Sequence, residues 1–198
     1  YSQLSPKRVY FGKDSSEKLI NIIRNNFKKN ETLYFVDQNF FTKNTDKKVV
    51  SFLNGQKKNL FLLENKSEPK TNFVDNLMFK IKAKNKNISL VVGIGGGSTL
   101  DISKAVSNLL TNRGNASKYQ GWDLLKNPSI YKIGVPTISG TGAESSKTCV
   151  LTNEKTFAKL GMNSKYSVFD ELILDPTLSS SVPRKQYFYS AMDAYIHS

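Results

Sequence analysis

The sequence predicts an α/β fold: a mostly parallel β-sheet with helices on both faces. Three observations carry that expectation. Short apolar runs alternate with amphipathic helical stripes along the chain. One run, Ile88 to Ile94, is continuously apolar rather than alternating, as a strand buried on both faces requires. Glycine-rich turns follow strand-like runs and precede helical ones.

The elements follow in order. Arg8 to Phe11 reads as a strand ending at Gly12, with Asp14 and Ser15 as helix caps. Leu19, Ile20, Ile23 and Phe27 make one helical stripe. Thr32 to Val36 is a strand ending in Asp37, and Val49, Val50 and Leu53 mark a short helix. Asn59 to Leu63 is a strand, and Thr71 caps a helix that buries Val74, Leu77, Met78 and Ile81. After Ile88 to Ile94 a helix runs from Thr99 to Leu110. Tyr131 to Val135, Thr148 to Leu151 and Leu172 to Leu174 are later strands. Pro183 opens a helix that reaches Ser198 with no glycine or proline stop, so the chain reads as truncated.

The 198 residues suit one α/β domain and the start of a second, and 38% hydrophobic content supports a buried core. No apolar run approaches the ~18 residues of a membrane span. A single cysteine, Cys149, excludes an internal disulfide framework and fits a reducing cytoplasm; its apolar surroundings make it a buried, inert thiol. The formal charge of +13 raises the question of nucleic acid. Its lysines are scattered, from Lys28-Lys29 to Lys86, with no interleaved aromatic motif, which argues for a solvated basic surface instead.

Gly95-Gly96-Gly97-Ser98 joins the central strand to a helix. Glycines let a ligand approach the backbone, and the helix start offers free N–H groups to a phosphate. Ser98 either caps the helix or bonds the phosphate, and Asp101 lies one turn in. The run is neither Gly-x-Gly-x-x-Gly nor a P-loop. Asp37 stands at a strand's carboxyl end, where it either accepts bonds from ribose hydroxyls, favouring NAD over NADP, or caps a helix. Pro136 to Glu144 is a second Ser/Thr/Gly loop after a strand, either a ligand loop or an ordinary turn. Asp193 and His197, the only histidine, are spaced i, i+4 on one helix face. They are either two metal ligands or a salt bridge or cap.

Together, Gly95-Gly96-Gly97-Ser98 with Asp101 and Lys104, Pro136-Thr137 through Gly140-Thr141-Gly142 and Glu144, Asp175-Pro176, and Asp193 with His197 resemble the iron-containing alcohol dehydrogenase family. The motifs fall in that family's order over most of the chain. The resemblance implies a Rossmann-like dinucleotide-binding domain over residues 1–182, and the first helix of an all-helical domain over 183–198. It implies NAD or NADP held by Asp37, Gly95, Gly96, Gly97, Ser98, Asp101, Thr137, Thr141, Ser146, Lys159 and Leu178. Fe(II) or Zn(II) is implied on Asp193 and His197, with further histidines that this sequence does not contain. Ile138 and Ala143 depart from the family's usual Thr and Ser.

Tyr119 to Leu124, Lys132 to Pro136 and Lys159 to Asn163 look like the branch containing 3-deoxy-D-manno-octulosonate 8-oxidase, of lipopolysaccharide sugar biosynthesis. The activity implied is metal-assisted oxidation of a small primary alcohol, an acidic sugar in that branch, by a protein that forms a homodimer. A dehydroquinate-synthase-like lyase and a non-enzymatic nucleotide- or nucleic-acid-binding module are the competing readings.

Overall fold

The computed structural model describes residues 5–43, 45–64, 68–84 and 87–197; Lys86 and the His197 side chain lie outside this description. The order of elements is β1 (Arg8–Phe11), α1 (Glu17–Asn26), β2 (Thr32–Asp37), α2 (Gln38–Thr42), α3 (Lys47–Asn54), β3 (Leu60–Leu63), α4 (Thr71–Lys84) and β4 (Leu90–Gly95). There follow α5 (Gly97–Thr111), β5 (Gly121–Trp122), β6 (Tyr131–Pro136), β7 (Thr148–Thr152), β8 (Lys159–Asn163), β9 (Glu171–Leu174) and α6 (Arg184–His197).

Six strands form one sheet in the order β1-β9-β6-β4-β2-β3, and every pairing in it is parallel. The side-chain period of two explains its two cores. On β2, Leu33 and Phe35 face α4 and α5, where Val74, Ile81, Ala105 and Leu109 meet them. Tyr34 and Val36 point the other way, toward Leu19 and Ile23 of α1 and Val49 and Leu53 of α3. Burial on both faces accounts for the unbroken apolar runs of β2 and β4.

The structure adds three elements to those read from the sequence. A single helical turn, α2, follows Asp37. The strands β5 and β8 join β7 in a separate three-stranded sheet, so Thr148–Thr152 lies outside the main sheet. The antiparallel β7–β8 pair carries mixed polar and small residues, a weaker pattern than that of the core strands. Three caps differ as well: Gly96, not Ser98, occupies the N-cap of α5, and Ser16, not Asp14 or Ser15, that of α1, neither with a side-chain bond, while Thr71 is the first residue of α4 rather than its cap. Among the described residues, no helix is long and apolar enough to cross a membrane.

Candidate cofactor crevice and metal pair

From β2 the chain runs outward to β3, whereas from β4 it runs the opposite way to β6. That reversal opens a crevice outside the carboxyl ends of β2 and β4, where open α/β sheets bind ligands. Asp37 ends β2. Its Oδ1 accepts N–H bonds from Asn39 (2.8 Å) and Phe40 (3.2 Å), so the carboxylate caps α2 while lining the crevice. Gly95 ends β4 at φ +158°. A Cβ there would sit 2.6 Å from Thr99 Oγ1 and 3.0 Å from Asp37 Cβ, so a side chain would force β2 and β4 apart at their ends. The Thr137 N–H donates to Gly95 O at 3.0 Å, binding the second loop to the first.

The crevice has a volume of about 380 Å³. Asp37, Gly96, Gly97, Ser98, Thr137, Thr141 and Leu178 all line it. Residues that the sequence reading did not select also line it: Asn39, Phe40 and Lys43 around α2, and Val182, Pro183 and Gln186 at the start of α6. The Asp-x-x capping pattern after Asp37 was the signal for α2. The first turn of α5 opens here, with backbone N–H groups that have no preceding helical carbonyl.

Gly95, Asp101, Ser146 and Lys159 lie outside this lining. Asp101 accepts the Val150 N–H at 3.1 Å and so anchors α5 to β7. Burial pushes its carboxyl up to about 6, against the pull of Lys104, the Val150 N–H and Lys159. Ser146 forms part of a cage around the fully buried Lys104, whose ammonium donates to Ala143 O, to Ser146 O (2.8 Å) and Oγ (3.2 Å), and to Thr148 O (2.9 Å). Burial drives the Lys104 ammonium below its ordinary range, and neighbouring Asp101 opposes that shift. Lys159 is exposed and ion-paired to Glu68, whose carboxyl it holds low. Cys149 is fully buried and its thiol is pushed up to about 12 by burial, which makes it inert as expected.

Asp193 is half-buried on α6, one turn before His197. The second loop presses against this helix. Gly140 has φ +118°, and a Cβ there would fall 2.2 Å from Ser190 O. Among the described residues, no group of three or more His, Cys, Asp or Glu could hold a metal ion. The same helix exposes Phe188, Tyr189, Tyr195 and Ile196.

An all-parallel main sheet with a glycine-walled crevice at its switch point belongs to the class of nucleotide-binding α/β domains. More narrowly, residues 6–176 match the iron-containing alcohol dehydrogenase family, and the chain belongs to that family. It is similar to sulfoacetaldehyde reductase from Bilophila wadsworthia, 40% identical over 117 residues, which are 59% of this chain and 30% of the relative. The alcohol dehydrogenase from Oenococcus oeni superposes with a TM-score of 0.84 at 25% identity, covering 99% of this chain and 51% of that one. Sulfoacetaldehyde reductase from Bifidobacterium kashiwanohense, solved with NAD+, gives 0.78 at 25% identity over 96% of this chain and 50% of its own. The chain thus spans about half the length of these solved relatives.

Proposed function

We propose that this chain is the cofactor-binding part of a metal-dependent oxidoreductase that interconverts a primary alcohol and its aldehyde, with NAD as hydride carrier. The observation that carries this reading is convergence. Three separate strand ends place Asp37, the Gly96-Gly97-Ser98 turn and Thr137 with Thr141 around one crevice. The N–H groups and dipole of α5 suit a pyrophosphate. Asp37 suits the adenosine ribose hydroxyls and repels a 2′-phosphate, which favours NAD over NADP. Leu178 offers an apolar wall.

A dinucleotide is longer than a 380 Å³ crevice, so its far end would run along α5 toward Asp101, Ser146 and Lys159. The residues lining the crevice fit NAD: Gly96 and Gly97 leave the backbone N–H groups at the start of α5 unshielded, and Thr141 packs 3.2 Å from where a Cβ on Gly97 would stand, so the two loops meet at this point. Asp193 and His197 offer one carboxylate and one imidazole from successive helical turns, a donor pair suited to Fe(II) or Zn(II). When bound, the cation supplies Lewis acidity that eases loss of the substrate's hydroxyl proton. The further ligands come from outside the described residues. On this reading residues 1–182 are the dinucleotide domain and 183–198 begin a helical one.

The narrower substrate we infer is the C8 hydroxyl of 3-deoxy-D-manno-octulosonate, made for lipopolysaccharide sugars in the cytoplasm by a homodimer. The three branch-like stretches and the net charge of +13 support an acidic substrate. Sulfoacetaldehyde, named for one relative, is also an anion.

Calorimetric titration of the protein with NAD and NADP, beside Asp37→Ala, tests the cofactor reading. Selective NAD binding that weakens in the variant supports it, and no binding of either nucleotide by the folded full-length protein refutes it. Turnover by that protein of the acidic sugar, sulfoacetaldehyde and butanol, compared side by side, decides the substrate.

A further inference from the structure

On the face opposite α4 and α5, a groove of about 860 Å³ opens between α1 and α3. It is more than twice the volume of the cofactor crevice and shares no lining residue with it. Its floor and walls are apolar, from Ile23, Phe27 and Phe52 over the ring of Tyr34 on β2. Arg24, Lys29, Lys47 and Lys48 surround that floor, and no carboxylate lines it among the described residues. Lys48 pairs outward with Glu17, and the Arg24 guanidinium lies 5.7 Å from the Phe52 ring centroid. Phe52 in turn meets Tyr34 edge-on at 6.1 Å.

Tyr34 is fully buried, and its hydroxyl has no hydrogen-bond partner among the described residues. Burial pushes the phenol up to about 12, so it stays a neutral O–H donor. The Thr32 hydroxyl opposes that shift, yet it donates to the Lys28 carbonyl at 3.2 Å. Tyr34 therefore backs the groove from beneath, and the surface a ligand meets is that of the partly exposed Phe27 and Phe52 with the basic residues around them.

We propose that this groove binds a small anion with an aromatic or apolar body, at a site separate from the dinucleotide crevice. The apolar body lies over Phe27 and Phe52. The anionic group meets Arg24 and Lys47, held in place by an aromatic floor that water solvates poorly. A concave patch with four cations around one apolar floor suits a compact ligand better than an extended polyanion.

The test is fluorescence titration of the full-length protein with 1-anilinonaphthalene-8-sulfonate, with NAD held at saturation. One site is expected, weakened by added salt. Affinity should fall about tenfold in the Arg24→Ala/Lys47→Ala double variant. Ser51→Trp, at an exposed position on the groove wall, should block binding without unfolding the chain. Affinity unchanged in both Ser51→Trp and the double variant, or displacement of the probe by NAD, would overturn the proposal.

Discussion

Replacing Lys104 by Met tests how the second loop is held. The lysine is fully buried, and its ammonium is bonded to three backbone carbonyls and one hydroxyl between Ala143 and Thr148. Within that loop, backbone bonds are few; Ser145 and Ser146 both donate to Gly142 O. Hydrogen bonds to a charged group contribute about 1.5–3 kcal/mol each, and much of that is offset by stripping water from the ammonium. Met fills similar space but leaves the carbonyls unbonded and the half-buried Asp101 without its cation. Breaking one side of such a buried pair costs about 3–5 kcal/mol. Urea unfolding at pH 7, followed by circular dichroism, should show a loss of that size. NAD affinity should fall with it, because Thr137 and Thr141 ride on the same loop. A loss below about 1 kcal/mol with unchanged NAD affinity would refute the reasoning.

Two further substitutions probe neighbouring features. The folded-state pKa of Asp101, raised to about 6, lies above its unfolded value, so the protonated form favours folding. Its contribution is complete below about pH 4 and is lost as pH rises through 6, at most about 3 kcal/mol in all. Asp101→Asn keeps an acceptor for the Val150 N–H and should flatten that slope in urea melts taken between pH 4 and 7; an unchanged slope would assign it to another group. Gly140→Ala places a side chain at φ +118° against the Ser190 backbone. It should cost about 2–4 kcal/mol and loosen α6, visible as faster proteolysis after Lys185; a variant as stable and protease-resistant as the parent would show that the loop stands clear of the helix.

The centre of the main sheet was legible because β2 and β4 are buried on both faces, which leaves continuous apolar runs such as Leu90–Ile94. The crevice was legible in part. Glycines at one strand end and an acid at another pointed to a ligand although each also had a purely structural reading, and both Asp37 and Gly97 line it. Asp37 caps α2, one of its two readings, and stands in the crevice where the other would apply. The placing of Ser146 and Lys159 was not legible. Ser146 turns toward the buried ammonium of Lys104, and Lys159 pairs with Glu68, which lies 91 positions away in sequence. Such long-range partners leave no local periodicity to read. Lys43 and Gln186 enter the crevice only because α2 and α6 happen to close its sides.

The pairing of β1 with β9 sets an order of events during synthesis. Arg8 lies beside Glu171, 163 positions further along. At the usual pace of translation, roughly 5–20 residues per second, β1 waits about 8–30 s for its neighbour to emerge. β2, β3 and β4 need far less chain and assemble ahead of it. β1 is therefore made before β2, β3 and β4 yet covered after them, and through that interval its exposed backbone is open to any other strand it meets.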